Sequence, residues 1–281
     1  MARLPQQLLK QIHALCLAGF GAALALAAGG AHADSIKIGG TGSGLGTMKM
    51  LVQEFNKSRP DAQLVVTPSL GSTGAIRAVL AGAVDIGIST RPVTAEESRQ
   101  GASARAYART PFFPATGAAN DSTGLTLREL AQIYSGEITR WPDGSPIRLV
   151  VRPDSDSDTV AMRTFSAEMD RAITAALARK GLRMADTDQD NADALERLPG
   201  SLGTTTLTQI MTESRAIRPI ALDGVAPTLQ SLAAGRYRYF KTLHLVTGRD
   251  PSPLARDFAA YIRSPAGQAV LAGSGNLAIR E

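Results

Sequence analysis

Three times before residue 160 the chain runs a short apolar strand into a loop of glycine and hydroxyl residues and then into a helix. That repetition restricts it to an α/β architecture built on a parallel sheet. The first unit is the alternating strand Ser35-Ile36-Lys37-Ile38, a glycine-rich turn over residues 39–46, and a helix whose Met48, Leu51, Val52 and Phe55 share one face at i, i+3, i+4 and i+7. That helix is expected to stop near Ser58-Arg59-Pro60. The second unit is a strand over residues 63–67, the loop 69–74 and a short helix carrying Ile76, Val79 and Leu80, and a third strand follows over residues 84–88.

Prolines in residues 110–117 forbid a continuous helix, so a crossover is expected there. Beyond it, Thr126-Leu127-Arg128-Glu129 spells a capping box for a helix through Ile133 and Tyr134 that ends at Ser135-Gly136. The third unit is a strand over 147–151, the polar loop 152–158 and a helix holding Met162, Phe165 and Met169. Residues 183–191 are polar and are expected to form a surface loop, and a strand-like stretch over 217–222 returns the chain. Two closing helices follow over 253–263 and 265–272, the second with Ser264 as cap and Pro265 in its first position.

The first 33 residues have a different character. Arg3 and Lys10 lie in a polar start, an apolar run spans residues 14–30, and Ala31-His32-Ala33 offers small residues before a cut. They read as an export signal, with the mature chain starting at Asp34; a retained N-terminal anchor is the alternative. Residues 13–15 lack the small residues expected before a lipidated cysteine, which argues against lipid on Cys16. Without this segment 28 basic residues face 25 acidic ones, and they form no basic run interleaved with aromatics, so nucleic acid is not the expected partner. No cysteine remains and His244 is the one histidine left. A zinc site and a histidine-based triad are therefore very hard to build, and no metal or cofactor is expected. His244 lies in a strand pattern and is expected to be a strand-face side chain.

The loops Gly44-Leu45-Gly46-Thr47-Met48, Gly71-Ser72-Thr73-Gly74 and Arg152-Pro153-Asp154-Ser155-Asp156-Ser157-Asp158-Thr159 each follow a strand and open a helix. In a parallel sheet such loops converge at the carboxyl ends of the strands, where helix N-termini present free N–H groups. Hydroxyls add neutral donors and one arginine adds a two-pronged charged contact, a combination suited to a small anion. Residues 40–46 never spell G-x-G-x-x-G, and no G-x-x-x-x-G-K-[ST] occurs, so nucleotide motifs find no support.

These loops resemble those of the periplasmic phosphate-binding proteins of ABC transporters, within the type II solute-binding superfamily. The likeness rests on Thr41-Gly-Ser-Gly-Leu-Gly-Thr-Met48, on Gly71-Ser-Thr-Gly-Ala-Ile-Arg77 running into Val84-Asp-Ile-Gly-Ile-Ser89, on Leu125-Thr-Leu-Arg-Glu-Leu130 with Ile133-Tyr-Ser-Gly-Glu-Ile-Thr-Arg-Trp141, and on Ser264-Pro-Ala-Gly-Gln268. It runs from about residue 36 to 279. The resemblance implies two α/β lobes joined by two hinge crossovers with the ligand in the cleft, one lobe over 34–112 and 221–281 and the other over 113–220. It implies binding by Thr47 and Met48 through the first helix terminus, by Ser72 with Thr73 and Thr90 nearby, and by Arg152 with Ser157, Asp158 and Thr159 from the second lobe. It further implies a monomer in the periplasm that hands inorganic phosphate to an inner-membrane permease and does no chemistry.

Two departures from the family pattern bear on the ligand. Where the family commonly places an aspartate after the third strand, this chain has Thr90 and then Arg91; where the family has Ser-Gly-Thr, it has Ser157-Asp158-Thr159 in a loop one residue longer. Near pH 7 phosphate keeps a proton and sulfate does not, so a buried carboxylate accepts a hydrogen bond from the first and repels the second. Asp158 or Asp156 is expected to supply that acceptor, the alternative being a helix cap; Arg91 is expected in a salt bridge rather than on the ligand. Sulfate or a phosphonate, a non-transport phosphate sensor, and a phosphoester hydrolase with Ser72 or Thr47 as nucleophile are the alternatives in function. The missing histidine base argues against the hydrolase.

Overall fold

The computed structural model describes residues 35–122 and 124–279; the expected export segment 1–33, Cys16 and the cut before Asp34 lie outside the described residues. The chain runs β1 (Ser35–Gly40), α1 (Gly42–Ser58), β2 (Gln63–Val66), α2 (Gly71–Leu80), β3 (Ile86–Ser89) and α3 (Ala95–Arg99) into a fifteen-residue strand, β4 (Ser103–Gly117). It continues through β5 (Gly124–Leu125), α4 (Leu127–Ser135), β6 (Arg148–Val151), α5 (Ser157–Arg163), α6 (Ala167–Ala178), β7 (Arg183–Met184), α7 (Asp188–Arg197), β8 (Ser201–Thr206) and α8 (Leu207–Glu213). The last segment holds β9 (Ile217–Pro219), β10 (Ala221–Leu222), α9 (Leu229–Ala233), β11 (Phe240–Thr247), α10 (Pro253–Arg263), α11 (Pro265–Gly273) and β12 (Leu277–Ala278).

The main strands follow the order β2-β1-β3-β11-β4-β8-β6-β7. Both outer groups are parallel, β1 with β2 and β3, and β6 with β7 and β8. The middle is antiparallel because β4 and β11 pair with each other, Phe240 opposite Pro111 and Thr247 opposite Ser103. β4 belongs to both halves: residues 103–111 pair with β11, and Phe112 onward pairs with β8 and β9. The proline-bearing stretch expected to cross over is the second half of this strand.

Apolar side chains sort into separate cores on either side of that strand. In one, Ile36, Ile38, Met48, Leu51 and Phe55 pack with Ile86, Leu245 and Phe258, the Phe55 ring lying edge-on to Phe258 at 5.4 Å between centroids. In the other, Phe112, Phe113, Leu130, Trp141, Val150, Ile173 and Leu202 pack together with Leu222 and Tyr237. The fold is thus the expected two-lobed α/β type. Leu222 and Tyr237 pack in the second core, and Leu243 and Leu245 in the first.

Two local expectations also change. Residues 42–46 are the first turn of α1 rather than a turn before it, despite three glycines that each weaken a helix by roughly 1 kcal/mol. They are there for close approach: a Cβ on Gly42 would strike the side chains of Asp188 and Gln189, and one on Gly46 would strike Thr212. Residues 183–191 are not a surface loop. They contain β7 and the start of α7, where Thr187 caps the helix by accepting from the Asp190 N–H and where Asp188 and Asn191 are buried. The capping box at Thr126 and Glu129, the left-handed Gly136 that ends α4, and the Ser264 cap of α11 form as expected.

Candidate functional site

A cavity of about 630 Å³ opens at the carboxyl ends of the parallel strands of both lobes. Each wall segment follows such a strand: Thr41 follows β1, residues 69–74 follow β2, Thr90 and Arg91 follow β3, residues 152–157 follow β6, and residues 186–188 follow β7. This is where a parallel sheet places ligands, because its loops turn there into helix N-termini with unpaired N–H groups.

The first lobe contributes hydroxyls and an open helix end. α2 begins at Gly71, whose φ of +66° suits glycine, and no side chain caps its first turn. Ser72 is buried at this end; its Oγ accepts from the Thr90 N–H at 3.0 Å and lies 3.0 Å from Thr90 Oγ1. Thr73 Oγ1 accepts from Arg91 Nη2 at 3.4 Å. Arg91 is engaged mainly by Glu97, donating to Oε1 at 2.7 Å and to Oε2 at 2.8 Å, so it forms the expected salt bridge, within its own lobe. Those bonds hold the Glu97 carboxyl at about 2, well below its ordinary value.

The second lobe contributes one cation among carboxylates. Arg152 is buried at 6% exposure, donating from Nη1 to the Ala185 carbonyl at 2.9 Å and from Nη2 to Asp156 Oδ2 at 2.7 Å, while its Nε has no partner. Burial disfavours the charge, yet Asp158, Asp156 and Asp188 outweigh it and the pKa is raised. Asp156 also caps α5 by accepting from the Asp158 N–H at 2.8 Å, so the cap alternative holds for this residue. Asp188, on α7, reaches the first lobe, where its Oδ2 accepts from the Ser43 N–H at 2.9 Å and from Thr41 Oγ1 at 3.1 Å. Its Oδ1 lies 3.9 Å from Arg152 Nη2.

Of the residues expected to bind, Ser72, Thr73, Thr90, Arg152 and Ser157 line this cavity and four do not. Because α1 starts at Gly42, Thr47 and Met48 sit in its second turn, facing inward. Met48 is in the apolar core, and Thr47 Oγ1 lies 2.8 Å from Thr208 Oγ1 and accepts from Asn276 Nδ2 at 3.1 Å. Asp158 points away from the cavity to a buried ion pair with Lys241 on β11, and burial raises its carboxyl pKa. Thr159 is buried and donates from Oγ1 to the Arg152 carbonyl at 3.2 Å. Thr41 and Asp188 were missed. Thr41 carried a signal, a hydroxyl residue directly after a strand and before the first helix. The Thr187 cap with acids at 188 and 190 and the apolar Ala192 and Leu195 after them announced α7, but nothing local pointed Asp188 at α1. His244 lies on β11, where burial lowers its pKa.

The class follows from this fold and from comparison with known proteins. A model of the PBP superfamily domain matches residues 26–266, and the chain belongs to that superfamily. Among curated proteins it is similar to the phosphate-binding protein PstS of Bacillus subtilis (strain 168), 27% identical over 239 residues that take in 79% of this chain and 74% of that one. Among solved structures it is similar to a Clostridium perfringens protein named as a phosphate ABC transporter substrate-binding protein, solved with bound phosphate, at 21% identity and a TM-score of 0.76 over 88% of this chain and 100% of that one. An ABC-type phosphate transport receptor from Vibrio cholerae is similar at 20% identity and a TM-score of 0.63, over 88% and 100%.

Proposed function

We propose that this protein binds inorganic phosphate in the cleft between its lobes, in the periplasm, and presents it to an ABC permease in the inner membrane. The observation that carries the reading is the uncapped start of α2, with Ser72 and Thr90, opening into the same cavity that the buried Arg152 lines from the other lobe. A helix N-terminus, neutral hydroxyls and one arginine fork together suit a tetrahedral oxyanion. Asp156 on the cavity wall favours an anion that keeps a proton to donate, which phosphate has at pH 7 and sulfate lacks. The names of the similar proteins support the same ligand and the same kind of partner.

In this reading the lobes span residues 35–111 with 241–279 and residues 112–240, with β4 and the entry to β11 as hinges. The protein acts as a monomer, and closure excludes water and strengthens the charged hydrogen bonds to the anion. It performs no chemistry on its ligand. Calorimetric titration of the exported protein with phosphate, sulfate and molybdate tests this: phosphate is expected to bind most tightly, and failure to bind phosphate overturns the proposal. Turnover of a generic phosphoester would return the hydrolase reading.

A further inference from the structure

The N-terminus of α1 borders the cleft at Thr41, as that of α2 does at Gly71 and Ser72, but it is already filled. The Asp188 carboxylate sits on it, taking the Ser43 N–H and the Thr41 hydroxyl, and turns its other oxygen toward Arg152. A helix N-terminus on one side and a buried guanidinium on the other, its Nη2 3.9 Å from the carboxylate, form the surroundings a small oxyanion seeks. Here those surroundings hold a side chain of the protein itself.

We propose that Asp188 is a resident anion in the binding cleft, occupying the α1 end of the seat until an external oxyanion displaces it, and so is a residue that determines which anions bind and how tightly. The backbone favours such an exchange. The Asp188 carbonyl is held by Gln209 Nε2 at 3.0 Å, and Thr187 caps the helix, so the carboxylate leaves or returns by side-chain rotation while α7 stays in place. Only residues without bulk admit it: Gly42, beneath the carboxylate, has no room for a Cβ.

Two consequences follow. The resident carboxylate ties the lobes together without a ligand, assisted by Gln189 Nε2, which donates to the Gly42 carbonyl at 3.4 Å. It also lowers apparent affinity, because the external anion binds fully only in the fraction of molecules whose seat is vacated. An anion with a single charge gains little by replacing a carboxylate of the same charge. A tetrahedral dianion gains more, so Asp188 favours dianions over monoanions.

This inference rests on the oxyanion reading above, and its test separates the two. Phosphate and sulfate are titrated calorimetrically into the wild-type protein, Asp188→Asn and Asp188→Ser, each checked for cooperative thermal unfolding, with ligand-free small-angle scattering alongside. Removing the resident charge is expected to tighten phosphate at least about tenfold in both variants, to tighten sulfate as well, and to enlarge the ligand-free radius of gyration until phosphate is added. Unchanged or weaker phosphate binding in the variants, with the wild type still binding phosphate, overturns the resident-anion proposal and leaves the oxyanion reading standing. If none of the three proteins binds phosphate or sulfate, the oxyanion reading fails and this inference with it.

Discussion

The two walls of the cleft solve the same electrostatic problem in opposite ways. The first-lobe wall is built from Ser72, Thr73, Thr90 and the bare start of α2, and its one cation there, Arg91, is locked onto Glu97. The second-lobe wall buries Arg152 among Asp156, Asp158 and Asp188, with Lys241, at the hinge entry to β11, behind Asp158. A buried guanidinium is costly unless carboxylates and hydrogen bonds accompany it, so the second wall has its own internal balance and the folded state depends on it. The first wall has donors to spare, and the folded state asks little of them. Substitutions in the second wall therefore act strongly on stability as well as binding, and those of the first wall's hydroxyls mainly on binding.

The most direct way to break this contrast is Lys241→Met. It leaves Asp158 buried with no partner on that side, and loss of one member of a buried pair costs about 3–5 kcal/mol; thermal or urea denaturation should register a drop of that size. Asp158→Asn should likewise lower stability while leaving the ratio of phosphate to sulfate affinity unchanged, because Asp158 is outside the cavity. A changed ratio with unchanged stability would put Asp158 back on the ligand. Next in size, Arg152→Ala should weaken phosphate binding by about 2–5 kcal/mol in calorimetry, and Arg152→Lys should recover only part of it, since the ammonium keeps the charge and loses the fork.

On the first wall, Ser72→Ala should cost about 1 kcal/mol of phosphate binding, with the melting temperature little moved, as only neutral hydrogen bonds are lost. A large fall in stability from this change would erase the distinction between the walls. The smallest effect is a pH dependence. Arg91 holds Glu97 at about 2, below the ordinary 4.5, so the folded protein binds fewer protons here than the unfolded chain between those values. The pair's contribution to stability is present above the ordinary value and fades as pH falls toward 2. Melting curves from pH 6 to pH 2.5 should decline less steeply in Glu97→Gln than in the wild type, and parallel curves would show that the pair contributes nothing.

Much of the fold was legible in local pattern. The apolar face of α1 at Met48, Leu51, Val52 and Phe55, the capping box at Thr126, and the closing helices at Pro253 and Pro265 rest on interactions within about one or two turns, and they form as read. Loops following parallel strands brought Ser72, Thr73, Thr90, Arg152 and Ser157 to one cavity because the carboxyl ends of such strands share an edge. The start of α1 departs from the sequence pattern for a physical reason. Glycines at 42, 44 and 46 look like a turn, and only the neighbours that press against them, Asp188, Ile88 and Thr212, explain a helix there. Moving that start by a few residues carried Thr47 and Met48 from the cleft into the interior.

The chain's periodicities and cap residues settled which segments are strands and helices, because those depend on neighbours close in sequence. The partner of each carboxylate was decided by the tertiary structure. Asp156, Asp158 and Asp188 are chemically alike, yet one caps α5 and pairs with Arg152, one is buried against Lys241 83 residues away, and one spans the cleft to Thr41, 147 residues away. Charge acts through space over several ångströms without regard to sequence separation, so where a carboxylate lies in the chain says little about which cation or helix end will hold it.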